Sequence, residues 1–235
     1  MRVEMLVPLP SPPPPASIRT QVEVPLALPD GSTTTARVVT FNGLVDGLEH
    51  LAFGLGRYAE RHTAVGSSPA TPVRLHSECL TGDVFGSQRC DCGAQLRESI
   101  GQLATEGGFL LYLRQEGRGI GLYAKLDTYV LQDVGLDTYE ANVALGYAVD
   151  QRNYTVAAQM LLALGQPRVA MLTNNPDKVA QLRRLGIDVV TQVPTGLHVS
   201  DANVRYLAAK ARHGDHTLDL AQLTGAGRAR PRAAP

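Results

Sequence analysis

Residues 168–193 constrain the fold more tightly than any other stretch. The run RVAML (168–172) reads as a strand, PDKVAQLRRL (176–185) as a helix and IDVVTQV (187–193) as a second strand. Asn175 suits the helix N-cap, Pro176 its first turn and Gly186 its C-terminus. Strands alternating with helices in this way call for a sheet covered by helices. The rest of the chain repeats the theme. ARVVTF (36–41), EHLAFGLG (49–56) and VRLHSE (73–78) read as strands, separated by a loop over 60–72 rich in Gly, Ser, Thr and Pro. In the second of them, Leu51, Phe53 and Leu55 share a face. Residues 94–105 look helical, and GFLLYLRQ (108–115) reads as a buried strand running into the turn EGRGIG (116–121). LYAKLDTYVLQDV (122–134) carries apolar residues at helical spacing, and VAAQMLLALG reads as a helix closed by Gly165. The expected class is α/β, a layered mixed β-sheet flanked by helices. Three segments are expected: a disordered Pro-rich arm over 1–18, one catalytic-sized domain over 19–216, and a disordered basic tail over 217–235.

The strand at 73–78 delivers Cys79, and Cys90 and Cys92 follow closely; these are all the cysteines of the 235-residue chain. Zinc takes sulfur at about 2.3 Å and usually wants four ligands in a structural site. Three protein ligands with one position left for water is the catalytic arrangement, and no further cysteine exists to close the set. Two other readings stand beside it. A disulfide is one, although Cys90 and Cys92 are too near in sequence to bridge well. Three buried apolar cysteines is the other, set against flanks of Arg89, Asp91, Gly93 and Gln95 that do not look like a core strand. His76 could complete a closed four-ligand site.

Elsewhere the local signals are weaker. The turn 116–121 sits between strand and helix, where glycine backbone can approach an anion, and Arg118 matches phosphate geometry. A tight turn with a solvated arginine accounts for it as well. Thr173, Asn174 and Asn175 lie beyond a strand's carboxyl end, where ligands of open α/β sheets bind. Lys178 has the wrong sign for a helix N-terminus, which a bound phosphate or a solvated surface position would each accommodate. Asp150 and Arg152 read locally as a cap and a surface pair, Tyr129 as a core tyrosine and Thr138 as an N-cap. The formal charge is zero, so a polyanion needs a local cluster and no global field favours nucleic acid. No run of eighteen apolar residues is present, and the proline-broken start is unlike a signal peptide, which makes a cytoplasmic protein the expectation, with no membrane and no nucleic-acid partner.

Together the strings RLHSECLTGD (74–83), RCDCGAQL (89–96), LYLRQEGRGIGL (111–122), LQDVGLDTYEAN (131–142) and LTNNPDKV (172–179) resemble GTP cyclohydrolase II, the enzyme that opens the riboflavin pathway. Order and spacing agree over about 73–216, with looser agreement at 37–56. The opening VPLALPDGSTT departs from the family's pattern, and the connection before 108 looks a residue short. After Pro194 only scattered matches such as Asn203, Tyr206 and Lys210 remain. The resemblance implies an α/β fold with a mixed sheet, a homodimer, one catalytic zinc per subunit held by Cys79, Cys90 and Cys92, and magnesium with the triphosphate. It places GTP contacts on Arg74, Leu75, His76, Ser77, Glu78, Gln95, Glu116, Gly117, Arg118, Thr138, Thr173 and Lys178. It assigns Asp150 as proton acceptor, Arg152 as nucleophile and Tyr129 as an active-site tyrosine. The implied products are 2,5-diamino-6-ribosylamino-4(3H)-pyrimidinone 5′-phosphate, formate and pyrophosphate.

The implied chemistry frees His76 from the fourth ligand position, since zinc must leave room to activate water for attack at C8. A guanidinium with a pKa above about 12 is a poor nucleophile, so Arg152 could instead stabilise the transferring phosphoryl group. Variants that stop at the formamidopyrimidine, or that bind GTP without turnover, remain as alternatives. His76-Ser77-Glu78 also imitates the H-x-E of zinc deaminases, but the P-C-x-x-C that should follow is replaced by C-x-C. A nucleic-acid-binding zinc module lacks both the charge and the aromatics, having no Trp and four Phe.

Overall fold

The computed structural model describes residues 12–60, 70–200 and 202–203. The described chain opens with a hairpin of β1 (Ser17–Ala27) and β2 (Thr33–Asn42). Asp30 makes its turn by accepting the Ser32 amide and hydroxyl on Oδ1, and Gly31 takes a φ of +83° that a side chain would resist. There follow β3 (Leu51–Leu55), β4 (Thr71–Ser77), α1 (Leu80–Asp83), α2 (Cys92–Glu106) and β5 (Gly108–Leu113). After a 3-10 turn at Glu116–Gly119 come α3 (Leu122–Asp133), α4 (Thr138–Ala144), α5 (Thr155–Ala163), β6 (Arg168–Leu172), α6 (Pro176–Arg184) and β7 (Asp188–Val193).

The strands form one sheet in the order β1-β2-β3-β5-β4-β6-β7. The pairings from β1 to β5 are antiparallel, and β5, β4, β6 and β7 run parallel. This is the mixed sheet of an α/β protein. Alternation along β5 shows both faces covered. Phe109, Leu111 and Leu113 join the core with Val156, Ala157, Met160 and Leu161 of α5 and Val179 and Leu182 of α6. Leu110 joins Leu103 of α2 with Leu55 and Leu172 on the other side. A strand buried on both faces must be apolar throughout, which is why GFLLYL shows no polar–apolar alternation. Each fully buried leucine of this kind contributes about 1.5–3 kcal/mol.

The strand–helix–strand unit forms as its sequence dictates. Asn175 accepts the Asp177 amide at 2.9 Å, Pro176 starts the helix, and Gly186 has φ +85°. Other boundaries move. Thr71 and Pro72, placed in the loop by composition, belong to β4, where Thr71 pairs with Val169 and Pro72 with Ala170 of β6; residues 61–69 of that loop lie outside the described residues. Helix α2 starts two residues early, so Cys92 itself is its first residue. Thr138 is not an N-cap. Asp137 caps α4 in a capping box with Glu140, and Thr138 occupies the first helical turn. The folded body also begins before residue 19: Pro13 is buried, Gln159 donates to the Pro14 carbonyl at 2.8 Å, and β1 starts at Ser17. The tail over 217–235, together with Tyr206 and Lys210, lies outside the described residues.

Helix α3 is amphipathic in the opposite sense to a core helix. Its buried residues are Lys125 and Thr128, whereas Tyr123, Leu126 and Val130 are exposed. The polar side faces inward because a cavity, not the core, lies beneath it.

Candidate active site

Three adjacent parallel strands end at one edge of the sheet. β4 leads into Glu78 and Cys79, β5 into Gln115 and the 116–119 turn, and β6 into Thr173 and Asn174. Ligands of open α/β sheets bind at such an edge. A cavity there is lined by Arg74, Leu75, His76, Ser77, Glu78, Cys79, Cys90, Cys92, Gln95, Glu116, Gly117, Arg118, Tyr129, Thr138, Arg152, Thr173 and Lys178. These are the sequence-predicted site residues with one exception. Asp150 does not line the cavity and meets it through Arg152.

The three cysteines are free thiols whose sulfurs lie within 4.8 Å of one another, with Cys79 and Cys90 3.6 Å apart. Tetrahedral thiolates at about 2.3 Å from zinc stand about 3.8 Å from each other, so the cluster fits that ion. Among the described residues no fourth ligand joins it. His76 is committed elsewhere: its Nε2 lies 3.0 Å from Asp83 Oδ1, and Asp83 Oδ2 also takes the Tyr112 hydroxyl and the Cys79 amide. Burial lowers the His76 pKa against the pull of Asp83. Hydrogen bonds from Cys90 and Cys92 hold Cys79 far below an ordinary thiol, against burial and helped by Lys125. The same contacts push Cys90 up to about 11 and Cys92 well up.

Glycine makes room for the cluster. A Cβ on Gly82 would stand 2.8 Å from Cys90 Sγ and 3.1 Å from Cys79 Sγ, and one on Gly93 would stand 2.2 Å from the Gly82 carbonyl. The α1 turn can touch the start of α2 only because both are glycine. Gly82→Ala is expected to weaken metal binding roughly ten- to a hundredfold, the equivalent of about 1–3 kcal/mol of overpacking. Competition against a chromophoric zinc chelator reads this, and an unchanged affinity would mean that α1 yields to the methyl.

Six cationic side chains line the cavity against three carboxylates: Arg74, Arg89, Arg118, Lys125, Arg152 and Lys178 face Glu78, Asp91 and Glu116. A chain of zero net charge thus concentrates positive charge at this edge. Arg74 is fully within the structure, with Nη1 on the Leu172 carbonyl and Nη2 on Gln95, and burial lowers its pKa. Arg74 Nε and Arg118 Nη1 are buried without a hydrogen-bond partner. Arg118 also has φ +61°, a strained value for a non-glycine residue, and its guanidinium lies 4.1 Å from the centre of the Tyr139 ring. Lys178 is no solvated surface lysine: it is buried, donates to the Leu75 carbonyl at 2.8 Å and lies over Tyr154.

Asp150 and Arg152 pair through both guanidinium and carboxylate edges, with Arg152 Nε 2.9 Å from Oδ1 and Nη2 on Oδ2. Burial would raise the Asp150 pKa, but the Arg152 hydrogen bonds outweigh it and hold the carboxylate below its usual value. Thr173 uses its hydroxyl to accept the Asn175 amide and so opens α6. Tyr129 is half-buried against Arg89, and burial pushes its phenol up. Sequence reading missed two residues. Asp83 organises His76, and Lys125 lies 3.1 Å from Cys79 Sγ. Neither carries a motif that sequence alone could flag.

A family model described as GTP cyclohydrolase II matches residues 20–194. The chain is 50% identical over 189 residues to a protein named GTP cyclohydrolase-2 from Vibrio cholerae serotype O1, covering 80% of this chain and 92% of the relative. GTP cyclohydrolase-2 of Psychromonas ingrahamii is 47% identical over 200 residues, covering 85% of this chain and 97% of the relative. A Bacillus velezensis protein named riboflavin biosynthesis protein RibBA is 49% identical over 197 residues, 83% of this chain and 48% of the relative.

Proposed function

The chain belongs to the GTP cyclohydrolase II family and is an enzyme of that type, and from that premise we propose that it hydrolyses GTP to 2,5-diamino-6-ribosylamino-4(3H)-pyrimidinone 5′-phosphate, formate and pyrophosphate, as the first step towards riboflavin. The supporting observation is the convergence at one sheet edge of a three-sulfur cluster and a concentration of guanidinium and ammonium groups. Purine ring opening and anhydride cleavage need those two kinds of group, and they share one cavity here.

A zinc ion held by Cys79, Cys90 and Cys92 would supply the Lewis acidity that activates water at neutral pH. The remaining work falls to the chain. GTP enters with magnesium, and Arg118 and Lys178 offset phosphate charge. Arg118 Nη1 and Arg74 Nε are donors whose buried position calls for an acceptor, which substrate oxygens provide. His76, fixed by Asp83 at the cavity wall, is placed to contact the purine. Arg152, held rigid by Asp150, stabilises the charge that develops as the α–β anhydride breaks. In this reading Asp150, bonded to Arg152 through both carboxylate oxygens, works chiefly by orienting that arginine.

The catalytic domain is proposed to begin at about Pro13, in a reducing cytoplasm that keeps the thiols free. The outward apolar stripe of α3, with Tyr123 at 83% and Val130 at 65% exposed, supports a homodimer through this helix. Sedimentation reading a monomer would overturn that part alone. The test of the reaction is incubation with GTP, zinc and magnesium, assaying pyrophosphate and formate separately. Equal yields are expected. Pyrophosphate without formate would mean a formamide product, and neither would remove the proposal.

A further inference from the structure

Lys125 is 8% exposed, and its ammonium is turned towards the cysteine cluster. Nζ lies 3.1 Å from Cys79 Sγ, 2.9 Å from Glu116 Oε1 and 3.0 Å from Thr81 Oγ1. Glu116 is itself committed to the protein. Its Oε1 also accepts the Gly117 amide at 2.9 Å, and its Oε2 accepts the Leu80 amide at 2.7 Å. Leu80 directly follows Cys79. One carboxylate therefore grips the chain beside the ligand, the ammonium grips the ligand's sulfur, and both are anchored in the turn that carries Arg118.

We propose that Lys125 is a positioning residue of the metal centre: it donates a hydrogen bond to the Cys79 sulfur and, through Glu116, couples that sulfur to the turn at 116–121. The inference rests on the reading of the three cysteines as a zinc site. Three thiolates on a dication leave a net negative charge, which a neighbouring ammonium offsets in a poorly solvated setting. A hydrogen bond to a ligating sulfur also draws electron density from it, so the bound metal is the stronger Lewis acid. Outer partners of this kind typically change metal affinity or activity about 10- to 100-fold. Glu116 becomes a bracket between metal ligand and turn, with its carboxylate occupied by three donors rather than held for the substrate.

Cobalt(II) substitution tests this without relying on turnover, because sulfur-to-cobalt charge transfer reports the electron density on the thiolates. The parent chain should bind one cobalt with a near-ultraviolet charge-transfer band. Lys125→Met should bind it at least about tenfold more weakly, with the band moved to longer wavelength, and Lys125→Arg should restore part of the shift. In zinc-loaded protein, Lys125→Met should lower kcat more than it raises KM for GTP. A cooperative melt matching the parent's establishes that Lys125→Met is folded; if it is not, Lys125→Gln carries the same readouts. A folded variant with the parent's band and affinity overturns the proposal alone. A parent chain that shows no thiolate band sinks the metal reading and this inference with it.

Discussion

Cys90→Ser should leave the purified chain without stoichiometric metal and take formate production to the detection limit. Zinc bound by a complete sulfur site is held by about 10–16 kcal/mol, or roughly 3–4 kcal/mol per ligand, so loss of one sulfur costs about two to three orders of magnitude in affinity. A site with only three sulfurs has no spare ligand to absorb that loss. Serine oxygen does not replace the thiolate, because it remains protonated at neutral pH and is a harder donor. The fold should persist, since Cys90 lies in neither hydrophobic cluster and its removal creates no core cavity. Arg152, Lys178 and Arg118 are untouched, so pyrophosphate release should outlast formate release. Elemental analysis, circular dichroism and the two product assays together read this outcome. A Cys90→Ser chain that makes formate at the parent's rate would show that the sulfur cluster is not the reaction centre.

How much of this is legible in the sequence depends on whether the signal is local. The β6–α6–β7 unit can be read because each boundary is marked by its own residue, Asn175, Pro176 and Gly186. β1 cannot, because SIRTQVEVPLA is an edge strand with Pro25 inside it and no buried residue to impose alternation. Its partner β2 has the buried Ala36, Arg37 and Val39, and its β-branched run is visible in ARVVTF. The N-cap at Asp137 rather than Thr138 is a choice between two adjacent capping residues, decided by Glu140 three places on.

The site shows the same division more sharply. Its cysteines are legible because three sulfurs crowded into a short polar stretch suit a shared cation better than they suit a core. Lys125 and Asp83 are not, since a lone lysine in a helix and a lone aspartate after a cysteine carry no motif by themselves. Only the packing of α3 against α4 and the 116–119 turn sets that lysine inward, and only then does the outward apolar stripe make sense. Lys178 is a related case. Its sign is anomalous for a helix N-terminus, and the structure shows the side chain spanning from α6 to the Leu75 carbonyl of β4.

Arg152→Ala should abolish both products, by about a thousandfold or more, while leaving metal content at the parent level. Groups that stabilise charge on a transferring phosphoryl are worth about 10³–10⁵ in rate when supplied by an arginine. Arg152 qualifies on position, because it lines the cavity with its side chain 14% exposed and its orientation fixed by three side-chain contacts to Asp150. The pairing bears on the two roles proposed for it. A guanidinium paired with a carboxylate is poorly set up to lose a proton, and a protonated guanidinium has no lone pair with which to attack phosphorus. Water is therefore the expected attacker, and intact-mass measurement during turnover should find no guanylyl adduct on the chain. Asp150→Asn should keep the metal and retain more activity than Arg152→Ala, since an amide still holds the arginine by one oxygen. A trapped adduct on Arg152 would reverse the assignment, and full activity in Arg152→Ala would remove the residue from the reaction altogether.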